Sequence, residues 1–388
     1  MNRSPSTSST PLHGVASFFV RSLLLGLLVV GGAGCDARDP GALKAVNIGF
    51  PPGARGLGAL AVSPEGRPFV LMSSSSSSAL WELEGSLEED TQVWVRRELA
   101  VTPQDLLGFV EGVGLIGYAF SGDRPVYLGI TDEGATPLAR WVDGTPVLPL
   151  WVSENGTVLG VSKLAYPQSR LLRLAPGASA WEEIAGTEPS FGMGTVIASA
   201  VLHPNGKLYA TNGSRIFELP TDLSGATKLF DCDTRELGSC GVSSRLVHGG
   251  IRLAGDGTLT IAMANDEVEL YSFRPGDRRL TKRAVVRSPI NEQSYFGRAQ
   301  GLVVDRKGNA YVVMRTEQVG GEGHVLAHRP GAAQTEWVTV VTGLPRVLHL
   351  QMDQKDGIWL WDSSDSYTGL WKLVPSSTQC PRCGETEP

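Results

Sequence analysis

The sequence predicts an all-β protein, a single β-propeller of seven four-stranded blades that follows an N-terminal leader. The first observation is a repeated pair of apolar segments joined by a polar turn that ends in glycine. The second is that further apolar segments follow each pair, so that up to four strand-like segments recur in each of seven repeats. The third is that no stretch outside the leader has sustained 3.6-residue hydrophobic periodicity. Four strands in each repeat are typical of a propeller blade.

The turn glycines define the repeats. Asn-Gly, Asp-Gly and Glu-Gly turns between apolar segments favour hairpins, because glycine takes the positive φ that such turns need. The second copy, LLGFVEGVGLIGYAF, is weaker than the others, and it makes six or eight blades the main alternatives to seven. The seven turn glycines, spaced 44 to 51 residues apart, are Gly66, Gly112, Gly156, Gly206, Gly257, Gly308 and Gly357.

The two ends of the repeat region complement each other. The last copy has only three strand-like segments, which end near Val374, whereas an additional segment at residues 43–50 precedes the first copy. We therefore expect residues 43–50 to supply the outer strand of the last blade, which closes the ring and removes an exposed strand edge. The predicted organisation is a signal peptide at 1–34, a tether at 35–42, the propeller at 43–375 and a tail at 376–388.

The leader is typical of export. Residues 22–34 read SLLLGLLVVGGAG, an apolar stretch shorter than the roughly 20 residues that a membrane span needs and typical of a secretory signal. The following Gly32-Ala33-Gly34-Cys35 resembles the lipobox of bacterial lipoproteins, with Gly32 where leucine is usual. The resemblance implies a lipid on Cys35 that anchors the protein to a membrane of the bacterial cell envelope, facing the periplasm or the exterior. An ordinary cleaved signal and an uncleaved anchor are the alternatives. Asp36 directly follows the cysteine, which marks retention in the inner membrane in some bacteria; because this rule is not universal, the choice between inner and outer membrane stays open.

The other cysteines form two local pairs. Cys232 and Cys240 stand close in sequence, as do Cys380 and Cys383, and we predict a disulfide in each pair because an even number of cysteines suits an oxidising compartment. The alternative for Cys380 and Cys383 is a redox dithiol or half of a zinc site. Those sites need a βαβ context or a second pair of ligands, and the sequence shows neither.

The repeats also carry a family resemblance. Residues 304–311, VDRKGNAY, resemble repeats of bacterial propellers of the NHL, SMP-30-like and two-component-regulator types, and the likeness extends over nearly the whole mature chain. It is specific for blade architecture and not for activity. SMP-30-like lactonases hold a divalent metal in the central channel with carboxylate and amide ligands. We find no such ligands at equivalent blade positions, so the sequence predicts no metal site.

Composition and motifs argue against other classes of function. The formal net charge is −6 and no run of Lys or Arg occurs, which argues against a nucleic-acid partner. Residues 112–117 match the G-x-G-x-x-G dinucleotide motif, but Gly122 and Pro125 stand where its helix would have to run. We therefore expect a hairpin there, no cofactor and no catalytic motif.

Four arginines define the candidate binding site. Alignment of the repeats on their turn glycines places an arginine 10–12 residues before the glycine in four blades, which become contiguous once the ring closes. His248 and His349 begin the innermost strands of two of these blades. We predict a cationic arc at one mouth of the central channel, formed by Arg55, Arg245, Arg298 and Arg346 with the two histidines.

The arc predicts an anionic ligand. Guanidinium groups pair bidentately with carboxylate and phosphate, so a uronate-containing glycan, a phosphorylated head group or an acidic peptide would suit it. Scattered surface charges, or structural ion pairs with neighbouring carboxylates, are the alternative explanation of these arginines. The predicted function is therefore a monomeric, non-enzymatic binding lipoprotein, with the membrane as one partner and an anionic small molecule, a glycan or an envelope protein as the other. The alternative is a channel-sited enzyme, either a lactonase or a polysaccharide lyase.

Overall fold

The structure is a computed structural model, and it describes most of the predicted propeller. Residues 1–42, with the leader and Cys35, lie outside the described residues, as does the tail 376–388. The described ranges are 43–49, 51, 57–73, 78–85, 92–110, 112–121, 124–138, 144–163, 168–187, 190–191, 198–232, 246–264, 268–286, 294–296, 301–316, 322–345, 349–361 and 369–375.

The described chain folds into seven antiparallel sheets, and each sheet is one propeller blade. Within most blades the chain runs from the innermost strand outward and consecutive strands pair as antiparallel neighbours, whereas the last blade takes its outermost strand from the N-terminal end of the propeller. The predicted all-β, seven-bladed fold is confirmed. No helix occurs in the described ranges, and so no candidate membrane-spanning helix is present there.

The first blade comprises β2 (Leu57–Val62), β3 (Pro68–Ser73), β4 (Ser78–Glu84) and β5 (Val93–Arg97). The second comprises β6 (Asp105–Val110), β7 (Gly114–Ser121), β8 (Arg124–Thr131) and β9 (Gly134–Pro137). The third comprises β10 (Val147–Val152), β11 (Val158–Lys163), β12 (Gln168–Leu174), β13 (Glu182–Glu183) and the additional β14 (Ser190–Phe191). The fourth blade comprises β15 (Ser199–Leu202), β16 (Lys207–Thr211), β17 (Arg215–Pro220) and β18 (Thr227–Asp231). The fifth comprises β19 (Leu246–Leu253), β20 (Leu259–Ala264), β21 (Val268–Phe273) and β22 (Thr281–Val286). The sixth comprises β23 (Ser294–Phe296), β24 (Leu302–Val304), β25 (Ala310–Thr316), β26 (Glu322–His328) and β27 (Val338–Pro345), and the seventh β28 (His349–Met352), β29 (Ile358–Trp361), β30 (Leu370–Pro375) and β1 (Leu43–Asn47).

The N-terminal strand closes the ring as predicted. β1 pairs antiparallel with β30, with Leu43 opposite Pro375 and Asn47 opposite Trp371. The last blade is therefore built from both ends of the propeller. Leu43 and Ala45 also pack against the apolar cluster between the sixth and seventh blades, which includes Val325 and Leu373.

The hydrophobic core lies between the blades. Separate clusters of buried side chains join the fourth blade to the third and to the fifth, the fifth to the sixth, and the sixth to the seventh. A larger cluster joins the first two blades to the seventh and includes Leu60, Leu115 and Trp359. The innermost strands of successive blades contact one another around the full ring, which leaves a channel at the centre.

The hairpins after the innermost strands repeat one turn geometry, with a correction in the last copy. Gly308, for example, has a φ of +84° and its N–H donates to the carbonyl of Asp305 at 2.9 Å. In the seventh blade the equivalent residue is Asp356, with a φ of +62°, and Gly357 comes one position later. Aspartate tolerates this left-handed region better than most residues, so our placement of the turn at Gly357 was wrong by one residue.

The second blade is a regular blade with a tighter hairpin. Val113 donates to the carbonyl of Val110 at 3.0 Å, and Gly112 has a φ of +81°. The G-x-G-x-x-G stretch thus enters β7 and is followed by β8, which confirms the hairpin interpretation. Two short strands, β14 and β23, were not predicted.

Candidate functional site

The central channel holds a cavity of about 750 Å³ to which all seven blades contribute. Its walls are the innermost strands and the turns that follow several of them. Among the described residues, the second, third and fourth blades contribute apolar side chains to the lining, such as Leu107, Leu150 and Leu202, and no charged side chain. The charged lining residues come from the fifth, sixth and seventh blades.

Arg252 brings a positive charge to this cavity from near the end of the innermost strand β19. Its Nε donates to the carbonyl of Leu302 in the next blade at 3.1 Å, and one terminal nitrogen, Nη1, donates to the carbonyl of Ile251 at 3.2 Å. The other terminal nitrogen makes no hydrogen bond to the described residues, and none of their carboxylates forms an ion pair with Arg252. Arg252 is partly buried, and the neighbouring blades shield its guanidinium partly from water; this desolvation lowers the pKa of Arg252 to about 10. The group is therefore still charged at neutral pH.

Gln351 occupies the equivalent position in the seventh blade. Its Nε2 donates to the carbonyl of Leu60 at 3.1 Å, and its Oε1 accepts from the N–H of Val62 at 2.8 Å. Both side chains therefore reach from one innermost strand to the backbone of the next. The other blades that share this turn geometry have apolar residues at this position: Ala61, Trp151, Val201 and Val303.

The other described charged groups of the channel wall, Arg306, Asp353 and Asp356, have partners in the sixth and seventh blades. Arg306 Nε donates to Asp356 at 2.8 Å. The Asp353 carboxylate accepts from the N–H of Gly357 at 2.7 Å and from Trp359 Nε1 at 3.3 Å. Arg252 thus differs from these groups, because its charge has no carboxylate partner among the described residues.

The turns below the channel are braced from blade to blade. His203 Nδ1 accepts the N–H of Asn205 at 3.0 Å, so Nε2 carries the proton and donates to the carbonyl of Gly257 at 2.9 Å. Gln354 N–H donates to the carbonyl of Pro64 at 3.1 Å across the ring closure. These bonds hold the neighbouring turns in fixed positions at one end of the cavity.

The predicted arc lies largely outside the described residues. His248 and His349 belong to the innermost strands β19 and β28, as expected, but their side chains are not described. The four arginines of the arc, Arg55, Arg245, Arg298 and Arg346, all lie outside the described ranges. The arc therefore stays a prediction.

The predicted disulfides also remain predictions. Cys232 is buried directly after β18, and its N–H donates to the carbonyl of Ser214 at 3.0 Å. Its proposed partner Cys240 lies outside the described residues, as do Cys380 and Cys383. In the ranges that the structure covers, no three His, Cys, Asp or Glu side chains are grouped so that they could hold a metal ion.

Our sequence reasoning missed Arg252, although the sequence contains a signal for it. In IRLAGDG the arginine stands five residues before the turn glycine, where four other blades have Ala, Trp or Val. The signal was a charged residue at a position where four other innermost strands have an apolar residue.

Comparisons with known proteins agree with this fold. No protein-family model and no curated protein matches the sequence. Among solved structures, the chain is similar to a catalytically inactive variant of virginiamycin B lyase from Staphylococcus aureus with quinupristin, at 12% identity and a TM-score of 0.54, with 86% of this chain and 99% of that chain covered.

Two further solved structures are similar at lower scores. A gluconolactonase from Xanthomonas campestris has 16% identity and a TM-score of 0.43, with 89% of this chain and 94% of that one covered. An extracellular domain assigned to a hybrid two-component system of B. thetaiotaomicron has 10% identity and a TM-score of 0.41, with coverage of 82% and 51%. At these identities the likeness concerns the fold: the chain is a seven-bladed β-propeller whose structural neighbours include enzymes and a sensor domain.

Proposed function

We propose that this protein is a non-enzymatic binding propeller of the bacterial cell envelope, and that its central channel binds an anionic ligand at Arg252. The observation that carries the proposal is the position of the Arg252 guanidinium, which lines the cavity without a carboxylate partner among the described residues. The ligand is held by the channel wall and leaves unchanged.

The energetics of a shielded charge support an anionic ligand. Removing a cation from water costs free energy unless an opposite charge compensates it. The carbonyls of Ile251 and Leu302 offer only partial compensation through single hydrogen bonds. A carboxylate or phosphate at the remaining terminal nitrogen would add a charge-assisted hydrogen bond, which is about twice as strong as a neutral one.

The predicted arc extends the same idea. Arg245 precedes β19 in sequence, and Arg252 lies near the other end of that strand. The fifth blade would then contribute positive charge to the channel both at its entrance and within it. The arc would attract the anion, and Arg252 would hold it.

The cellular position follows from the leader. We propose that Cys35 carries a lipid that places the propeller on the periplasmic or outer side of a membrane. Incorporation of radiolabelled palmitate tests this directly. Loss of the label and of membrane fractionation in Cys35→Ala is expected, and unchanged labelling would contradict the lipoprotein assignment.

The binding proposal is tested by titration calorimetry with glucuronate, an organic phosphate and octanoate at low and high salt. Arg252→Gln should weaken the binding of an accepted anion by about 10- to 100-fold, the value of a hydrogen bond to a charged group. Glutamine is compatible with the fold here because Gln351 occupies the equivalent position. The matched control is Arg278→Gln, which removes the same charge from an exposed site in the same blade and should leave the affinity unchanged.

Two outcomes would contradict the proposal. If none of the three anions binds, or if the two arginine variants bind them equally, Arg252 is a structural brace between blades and not a ligand site. Turnover of a lactone or of a uronate oligosaccharide by the protein would favour the alternative of a channel-sited enzyme. Product formation is followed by NMR in the same samples.

A further inference from the structure

We infer that the ligand is an amphipathic organic anion, whose head group pairs with Arg252 and whose apolar body lies against the second, third and fourth blades. The inference rests on the proposed function and names the class of ligand. It follows from the uneven distribution of side chains around the channel. Three observations carry it.

The first observation is a continuous apolar wall. The side chains of Leu107 and Phe109 in the second blade and of Leu148 and Leu150 in the third are partly exposed, and they line the cavity. Ser199 is the one polar residue that these three blades contribute to the described lining, and its hydroxyl accepts the N–H of Ile251 at 2.7 Å. Apart from Ser199, the described side chains of this wall offer no hydrogen-bonding group to the hydroxyls of a sugar.

The second observation is the exposure of Leu202. It ends the innermost strand of the fourth blade, lines the cavity and is 47% exposed. The other large hydrophobic residues with comparable exposure in the described ranges are Val46, Val93 and Val101, and none of them lines the channel. A ligand that covers Leu202 would remove apolar surface from water, which stabilises the complex.

The third observation is the charge balance of the opposite wall. Arg306 is paired with Asp356, and Asp353 is held by the donors of its own turn. Among the described lining residues, Arg252 is therefore the cation without a carboxylate partner, while the two aspartates would repel additional negative charges near it. This arrangement favours a single anionic head over a polyanion. The cavity of about 750 Å³ combines an apolar wall on one side with polar and charged side chains on the other, and its volume lies in the range of small-molecule sites.

The test is a series of straight-chain carboxylates from butanoate to decanoate, titrated calorimetrically at constant ionic strength. Affinity should rise about fourfold for each added methylene, the value expected for transfer of a buried methylene out of water. 1-Octanol, which has the chain of octanoate without its charge, should bind more weakly than octanoate in the wild-type protein. Arg252→Gln should remove that difference.

Two variants report on the apolar wall. Leu202→Asn should weaken decanoate binding by about fivefold to tenfold and reduce the dependence on chain length. Val93→Asn is the matched control, because Val93 is 60% exposed on the outermost strand of the first blade. It should leave the affinity unchanged.

The outcomes separate this inference from the proposed function. Equal affinities for butanoate and decanoate, or equal effects of the two asparagine variants, would overturn the amphipathic ligand and leave an anion site at Arg252. A steep dependence on chain length that is unaffected by Arg252→Gln would instead overturn the anion site. Absence of binding across the whole series would overturn the inference, while binding of glucuronate or the organic phosphate would still support the proposed function.

Discussion

The side-chain amide of Gln351 donates a hydrogen bond to the carbonyl oxygen of Leu60 at 3.1 Å, from the innermost strand of the seventh blade to that of the first. The same amide accepts the N–H of Val62. One edge of an innermost strand faces the channel without a partner strand, so its backbone groups need other partners. The ring is thus closed twice: by the β1–β30 pair at its rim, and by Gln351 at its channel.

Gln351→Leu should destabilise the protein by about 1–3 kcal/mol, because it leaves the inward-facing N–H of Val62 and carbonyl of Leu60 without these partners. The free energy of unfolding in urea measures the effect. Gln354→Leu is the control, since that side chain is exposed on the neighbouring turn. Equal unfolding free energies for the two variants would show that Gln351 does not stabilise the closure.

Ala45→Asp should destabilise the propeller by about 1–2 kcal/mol, because Ala45 packs against the cluster between the sixth and seventh blades. Val46→Asp places the same side chain on the exposed face of the same strand and should change stability by less than about 0.5 kcal/mol. Urea denaturation of both variants compares the two faces. Similar losses from both would mean that β1 contributes only its backbone pairing.

Gly206→Ala should cost about 1–2 kcal/mol, because the residue has a φ of +77° and an added Cβ would meet nothing within 4 Å. The cost therefore reports backbone strain alone. Gly206→Asn should cost less, since asparagine tolerates the left-handed region, as Asp356 does in the seventh blade. Thermal unfolding ranks the two variants, and an equal loss would argue against a strain-limited turn.

Burial of His328 predicts a pH dependence of stability. The ring lies in β26, donates to the carbonyl of Ala333 at 3.0 Å and stands 5.2 Å from the ring of Trp337. Desolvation lowers the pKa of His328 below its usual value of 6.5. The unfolded chain therefore binds the proton more readily, so this contribution to stability is complete above the unfolded pKa and declines as pH falls through 6.5 toward the folded pKa.

The comparison of the wild-type protein with His328→Gln isolates this contribution, because glutamine can still donate to Ala333 but does not titrate. The difference in unfolding free energy between the two proteins should shrink from pH 7.5 to pH 5.5. Urea titrations at the two pH values measure it. A difference that stays constant would show that His328 has the same pKa in the folded and unfolded states.

The sequence was sufficient to predict the blade count and the closure of the ring, because both depend on local signals. The turn glycine of the second blade, Gly112, and the additional N-terminal strand each follow from short-range patterns of apolar and turn residues. The error at Gly357 has the same origin, since a glycine beside the turn was favoured over Asp356, which takes the positive φ. The short strands β14 and β23 carry too few residues to show a period.

The candidate site was less predictable, because it depends on contacts between residues about 50 positions apart. That Arg252 reaches Leu302 follows from how the fifth and sixth blades pack side by side. No local pattern determines that its remaining terminal nitrogen has no hydrogen-bond partner among the described residues. The apolar wall opposite likewise becomes visible only when the innermost strands are arranged around one channel. The arc of four arginines, the lipid on Cys35 and both disulfides remain predictions.

The most direct test of an anion site at Arg252 is the Nε–Hε signal of that residue in a two-dimensional ¹H–¹⁵N spectrum, assigned by its loss in Arg252→Gln. Titration with octanoate should shift this signal in a saturable way. The signal of Arg306, which is already paired with Asp356, should move much less. An Arg252 signal that stays in place while octanoate binds elsewhere, or that moves no more than the signal of exposed Arg278, would contradict the account.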